Sequence, residues 1–181
     1  MIKRLFDIIF SLLGLILLAP LLFFLSFVIK FSSQGSIFFK QTRVGRNGKH
    51  FTMIKFRSML ENSEKKGSIS IKGDDRITTI GSFLRKYKLD ELPELWNVLI
   101  GDMSFVGPRP DVPGYADILK GENRKILELR PGITGIASLK YANEEEILSN
   151  VKNPIRYNDE VIFPDKTRLN LEYYYKNNLW F

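Results

Sequence analysis

The stretch that decides the reading is LDELPELWNVLIGDMSFVGPRP, Leu89 to Pro110. Leu89, Leu92, Leu95, Trp96 and Leu99 recur at helical spacing, and Gly101 is a reasonable stop. The stretch opens with two adjacent carboxylates, Asp90 and Glu91, expected in the first turn of a helix. Pro93 follows where a missing N–H does no harm. Helix capping accounts for an acid at such a start, because it complements the dipole. Adjacent carboxylates also allow a division of labour. One attacks as a nucleophile while the other holds a hard cation, Mg²⁺ or Mn²⁺, through oxygen.

Working outward, basic residues supply a reason for that cation. Arg109 stands between two prolines, Arg85 lies five residues before Asp90, Lys55 and Arg57 sit in IKFRSM, and Arg130 opens RPGITG. Arginine binds phosphate oxygens with a planar fork, and proline neighbours lower the entropy Arg109 loses on binding. Any single one of these cations reads as a solvated charge or a surface pair; the set makes a phosphate-binding site.

The 181 residues hold one modest domain plus an accessory segment. Lys and Arg outnumber Asp and Glu for a net charge of +7, suited to nucleic acid, an anionic membrane or a phosphorylated substrate. No cysteine is present, so disulfides and thiolate metal sites are excluded, and His50 is the only histidine. A Ser-His triad and His-rich metal chemistry are therefore disfavoured.

Ile8 to Ile29 carries no charge and is apolar almost throughout. About 20 such residues span a bilayer, and the run is too long for a cleaved signal peptide. Pro20 removes a backbone donor near the middle and predicts a kink. Lys3 and Arg4 precede the run, and Lys30, Lys40, Arg43, Arg46 and Lys49 follow it. The positive-inside rule places both flanks in the cytoplasm. A helix that enters one leaflet, bends at Ala19-Pro20 and returns satisfies both facts; an ordinary bitopic span with a tolerated proline is the alternative.

Beyond the membrane segment, Ile37–Phe39 and Phe51–Ile54 are β-prone, and Asn47-Gly48 between them signals a hairpin. A polar loop covers the 60s. TTIGSFLRKYK and the Leu89 stretch read as two helical pieces, and YADILKGENRKILEL as helical. RPGITGIASLKYAN reads as a loop and then a strand. The tail DKTRLNLEYYYKNNLWF is basic and aromatic, either at a membrane surface or packed.

KFRSM, DDRITTIGSFLRKYKLDELPELWNVLIGDMSFVGPRP and RPGITG, in this order behind an apolar segment, resemble the bacterial sugar transferase family, the small monotopic phosphoglycosyl transferases. The resemblance covers nearly the whole chain. It implies an α+β, mostly helical fold: a re-entrant membrane helix-break-helix over residues 1–31, then a catalytic domain over 32–181. That domain would carry a small β-hairpin and amphipathic interfacial helices around a cytoplasmic core. It implies a Mg²⁺-dependent enzyme at the cytoplasmic face of the bacterial inner membrane. The reaction is transfer of a phosphosugar from a UDP-sugar to polyprenyl phosphate, usually undecaprenyl phosphate, with release of UMP. On this chain Asp90 would be the nucleophile and form a phosphosugar-aspartate intermediate, with Glu91 assisting the metal. Arg85, Arg109, Lys55, Arg57 and Arg130 would hold phosphates.

The expected partners are the UDP-sugar, the polyprenyl phosphate and the bilayer, with no nucleic acid; a second copy of the chain and downstream glycosyltransferases are further partners. The resemblance has departures. The family's Ser-Pro break is Ala19-Pro20 here, Ser138 stands where a glutamine is frequent, and Glu172 lies near a familial aspartate. Roles for Glu172, Asp159 or Asp165 have little beyond position to support them. A membrane-anchored basic binding module and an inactive scaffold are the competing classes. The binding module does not explain the paired carboxylates, which would repel phosphates without a metal.

Overall fold

The computed structural model describes residues 2–61, 63, 71 and 73–176. The fold starts with one long helix, α1 (Ile2–Ser32), with Pro20 inside it. It is followed by a hairpin of β1 (Phe38–Val44) and β2 (His50–Phe56). α2 (Thr79–Lys86) and α3 (Glu94–Ile100) flank a 3₁₀ turn, Leu89–Glu91. Two short strands, β3 (Ser104–Val106) and β4 (Gly132–Thr134), pair in parallel. Two 3₁₀ segments, Ala116–Ile118 and Gly121–Glu128, lie between them. The chain closes with α4 (Ile136–Lys140), α5 (Glu144–Ser149), α6 (Pro154–Tyr157), a π-helical turn Asn158–Ile162, and α7 (Phe163–Lys176).

The mostly helical architecture with its hairpin agrees with the sequence expectation. β1 and β2 are antiparallel with Phe38 opposite Phe56 and Val44 opposite His50. The turn uses Asn47 and Gly48 at positive φ, the conformation that asparagine and glycine tolerate best.

Three readings need correction. The break expected at Ala19-Pro20 is not an interruption, since α1 is helical throughout. Proline deletes one hydrogen bond and the adjacent turns keep theirs. Ser11, Ser26 and Ser32 also return their hydroxyls to the carbonyls of Asp7, Leu22 and Val28, which satisfies polar groups that lipid could not. The strand expected after RPGITG is instead Gly132–Thr134, and IASLK is α4. Asp90 and Glu91 occupy a 3₁₀ turn of their own, and α3 begins at Glu94 after Pro93. The 60s loop, but for Ser63 and its edges, and the last five residues lie outside the described residues.

α1 is tied to the rest of the molecule along its length. Arg4 donates to the Val98 and Leu99 carbonyls at 2.6 and 2.7 Å, a cation on the C-terminal end of α3. Asp7 is 1% exposed, and its Oδ1 accepts from Ser104 Oγ at 3.1 Å and Phe105 N–H at 3.2 Å. Gly14 leaves room for Leu95. Leu25 and Ile29 enter a core with Phe56 and Leu84. Beyond the helix end, Ser33 accepts from Arg57. The other face of α1 shows Leu5, Phe6, Ile9, Phe10, Leu13, Leu17, Phe23 and Phe27 outward.

The tail packs as well. Thr167 and Asn170 are buried, Leu171 joins a core of Val44, Ala116, Ile126 and Leu127, and Lys140 reaches Asp165 at 2.5 Å.

Replacing Asp7 by Ala strands two donors under α1 and is expected to cost about 1–3 kcal/mol. A drop in the thermal midpoint of the detergent-solubilised protein would show it. An unchanged midpoint would mean that Asp7 does not dock the helix.

Candidate active site

The site is assembled where the 3₁₀ turn meets β2. Two residues past the end of α2, Lys88 is held left-handed (φ 55°, ψ 23°), a costly geometry for a side-chain-bearing residue. That bend re-aims the chain so that Asp90 turns inward. Asn97 then fixes α3 to the hairpin: its Oδ1 accepts from Ile54 N–H at 3.1 Å and its Nδ2 donates to the Thr52 carbonyl at 2.8 Å. This contact sets β2, and hence Lys55, against the first turn of α3.

Lys55 Nζ lies 2.9 Å from Glu91 Oε1 and 3.1 Å from Glu94 Oε1. Arg109 donates to both oxygens of Glu91. Two glycine-rich turns hold the Arg109 loop: a Cβ on Gly107 would collide with the Arg130 carbonyl, and one on Gly132 with Gly107 N. Bare backbone there lets β3 and β4 pair, which explains why GPRP and RPGITG act as one unit. Arg43 supports the same loop through the Pro110 carbonyl at 2.9 Å.

Asp90 is 6% exposed, and its Oδ1 is buried without a hydrogen-bond partner. Burial pushes its carboxyl above the ordinary range, with Lys55 opposing. Burial would raise Glu91 too, but the Arg109 and Lys55 charges overcome it and hold that carboxyl well below the ordinary range. Burial raises Glu94, against Lys55. Two neighbouring carboxylates are thereby pushed apart: both are desolvated, but the Arg109 and Lys55 charges outweigh burial at Glu91, whereas burial prevails at Asp90. Perturbed carboxyls of this kind mark functional sites.

The five cations singled out from the sequence separate. Lys55 and Arg109 reach the carboxylates. Arg85 is close enough to influence Asp90 but is also paired with Glu145 of α5. Arg57 is buried at the end of α1, donating to Ser33. Arg130 lies among Arg4, Arg46 and Asp7, near the start of α1. Asp159 bonds Tyr115, and Asp165 and Glu172 share Arg168, all distant in role from the paired carboxylates. Sequence reasoning missed Glu94, Asn97 and Arg43. For Glu94 a signal existed: it lies three and four residues after Glu91 and Asp90, the spacing of helical neighbours.

The residues fit a hard divalent cation. Asp90 offers an orphaned buried oxygen beside a second carboxylate. No group of three or more His, Cys, Asp or Glu side chains with metal-site geometry exists among the described residues.

The model of the bacterial sugar transferases matches residues 1–181. The chain belongs to that family. It is 36% identical over 171 residues to an exopolysaccharide production protein, ExoY, of Sinorhizobium fredii, covering 86% of this chain and 76% of the relative. It is 41% identical over 162 residues to a UDP-glucose:undecaprenyl-phosphate glucose-1-phosphate transferase of Klebsiella pneumoniae, covering 86% of this chain but 34% of that one. It is 43% identical over 122 residues to a putative undecaprenyl-phosphate N-acetylgalactosaminyl 1-phosphate transferase of Bacillus subtilis, covering 67% and 68%. For this sugar transferase the family thus includes proteins named as sugar-phosphate transferases to undecaprenyl phosphate.

Asp111, beside Arg109, is raised by burial to about 6, against Lys166 and Arg43. The ionised form is therefore the costly one in the folded protein. That cost is absent below the ordinary carboxyl range, grows as pH rises, and is complete above the folded value. Asp111→Asn is expected to leave the thermal midpoint nearly unchanged at about pH 4 and to raise it at about pH 7.5. A gain of equal size at both pH values would refute the assignment.

Proposed function

We propose that this protein transfers a phosphosugar from a UDP-sugar to polyprenyl phosphate, undecaprenyl phosphate in bacteria, and releases UMP. The observation that carries the reading is Asp90: a buried carboxylate oxygen without a partner, next to a Glu91 that two cations hold ionised. The names of the relatives support the same reaction class.

Asp90 attacks the phosphorus that bears the sugar; the bond from that phosphorus to the UMP oxygen breaks, and UMP departs. A phosphate oxygen of the lipid then attacks the same phosphorus and frees Asp90. Two displacements through one carboxylate predict ping-pong kinetics. Lys55 and Arg109 orient and neutralise phosphate oxygens, the main work in such a transfer. Mg²⁺, held by Asp90 and Glu91, would supply further charge neutralisation at the transferring group. The acceptor is already anionic near neutral pH, so a chain with one histidine needs no strong general base. The sugar is left open, since the relatives' names differ in it.

We further propose that α1 inserts from one face, at the cytoplasmic side of the inner membrane. A 31-residue helix is roughly 46 Å long, more than the hydrocarbon core. Both of its ends nevertheless bind one body, Arg4 at α3 and Ser33 at Arg57. A span would pull these anchors to opposite sides of the bilayer. Insertion along one face leaves the phenylalanine and leucine side in lipid and Asp90 at the surface where the lipid phosphate lies.

In an assay with a panel of UDP-sugars, polyprenyl phosphate and Mg²⁺, the wild type is expected to release UMP. Asp90→Asn should lower turnover by at least about 10³-fold; undiminished turnover would end the aspartate mechanism. Because the chain has no cysteine, single Lys3→Cys and Lys49→Cys variants report topology. Both should react with an impermeant thiol reagent from the same side, whereas opposite sides would mean a bitopic helix.

A further inference from the structure

We propose that Glu94 is a positioning residue: it holds Lys55 Nζ beside the Asp90–Glu91 pair when Glu91 turns toward a metal or substrate. The inference rests on the transferase reading above and names a device within it.

Glu94 sits in the first turn of α3, and its side chain is 1% exposed. A carboxylate so buried needs compensation, yet neither of its oxygens has a partner with hydrogen-bond geometry. What it has is Lys55, 3.1 Å away. The same ammonium is 2.9 Å from Glu91 Oε1 and leads the charges that oppose the effect of burial on Asp90. Lys55 therefore has two anionic neighbours in ion-pair contact, and their fates differ. Glu91 is partly accessible and has Arg109 as a second cation. Glu94 is sealed, and Lys55 is the one cation within ion-pair distance among the described residues.

When Glu91 exchanges Lys55 for another cation, an ammonium on a flexible stem would be free to leave the site. The attraction of Glu94 keeps it. The lysine stays where phosphate oxygens arrive, and Glu91 is released at little cost because Lys55 keeps a counter-ion. Any neutral side chain of similar size at 94 would pack equally well and would lack that hold.

The test needs neither metal nor turnover. Glu91→Gln imitates a Glu91 that has given up its ion pair. Acetylation of Lys55 by acetic anhydride, read by mass spectrometry on detergent-solubilised protein, reports how firmly the amine is held. Exposed Lys86 and Lys88 serve as internal standards. Lys55 should remain slow in wild type and in Glu91→Gln. In Glu91→Gln/Glu94→Gln it should react at least about tenfold faster, because neither carboxylate in ion-pair contact with the amine then remains to hold it. Equal rates in Glu91→Gln and the double variant would overturn the proposal.

The kinetic arm is a double-mutant cycle. Glu94→Gln should lower kcat/KM by about tenfold when Lys55 is present, and should have no further effect in Lys55→Met. A purely structural Glu94 would cost the same in both backgrounds and would lower the thermal midpoint. If wild type releases no UMP, the transferase reading falls, while the acetylation pattern still decides whether Glu94 holds Lys55.

Discussion

Lys55 is the charge on which the site depends. Its ammonium is shared by Glu91 and Glu94 in a region largely closed to water. Removing it would leave two buried anions facing a third, Asp90, a situation costing several kcal/mol. Three otherwise separate pieces of chain meet to satisfy it. The hairpin contributes the lysine, the turn after the left-handed Lys88 contributes Asp90 and Glu91, and α3 contributes Glu94. Asn97 locks the first of these to the last through backbone hydrogen bonds at Thr52 and Ile54. The glycine-tight pairing of β3 with β4 then brings Arg109 to the outer side of Glu91. The small sheets are thus positioning devices as well as core: each delivers one cation to a carboxylate.

The same logic of shared anchors governs the membrane helix. An apolar helix in lipid has no hydrophobic reason to lie against a particular surface. Here polar contacts give it one. Arg4 answers the exposed carbonyls of α3, Asp7 answers Ser104 and Phe105, and Arg57 closes over Ser33 beyond the last turn. Since α3 carries Glu94 at its first turn and receives Arg4 at its last, α1 and the clustered carboxylates are coupled through a single seven-residue helix. In the proposed membrane placement, the depth of α1 and the height of Asp90 above the lipid would therefore be one variable.

Much of this was legible in the sequence because it rests on local rules. The hairpin followed from Asn47-Gly48, the end of α3 from Gly101, and the paired acids from adjacency alone. The apolar run announced α1, and its flanking lysines and arginines suggested that both ends share a side. What was not legible depends on distant pairing. Arg57 and Arg130 look like Lys55 and Arg109 in composition and neighbours, yet the fold sends the first to a helix end and the second to the start of α1. Nothing in a linear pattern separates a cation that meets the clustered carboxylates from one that meets a carbonyl. The parallel pairing of β3 and β4 spans a long separation with three-residue strands, too short for periodicity to mark. Pro20 was read as a break from its lost donor, but one missing bond within a long apolar helix does not end it.

Glu94 shows most clearly where fold and reaction part. For stability alone, a neutral side chain at that position would serve better, since a buried ion pair rarely outperforms apolar packing of equal volume. The site instead keeps three acids within the reach of one lysine and one principal arginine, and leaves Asp90 Oδ1 unsatisfied. Such a balance is poor for a resting protein and apt for one that must receive cations and phosphates together. In the proposed transfer, an incoming cation would relieve the excess negative charge, and the phosphates it accompanies would take over Lys55 and Arg109 as their own partners. On this account the unsatisfied oxygens are the part of the site that substrate completes, and the left-handed Lys88 is the strain by which the chain holds Asp90 ready for it.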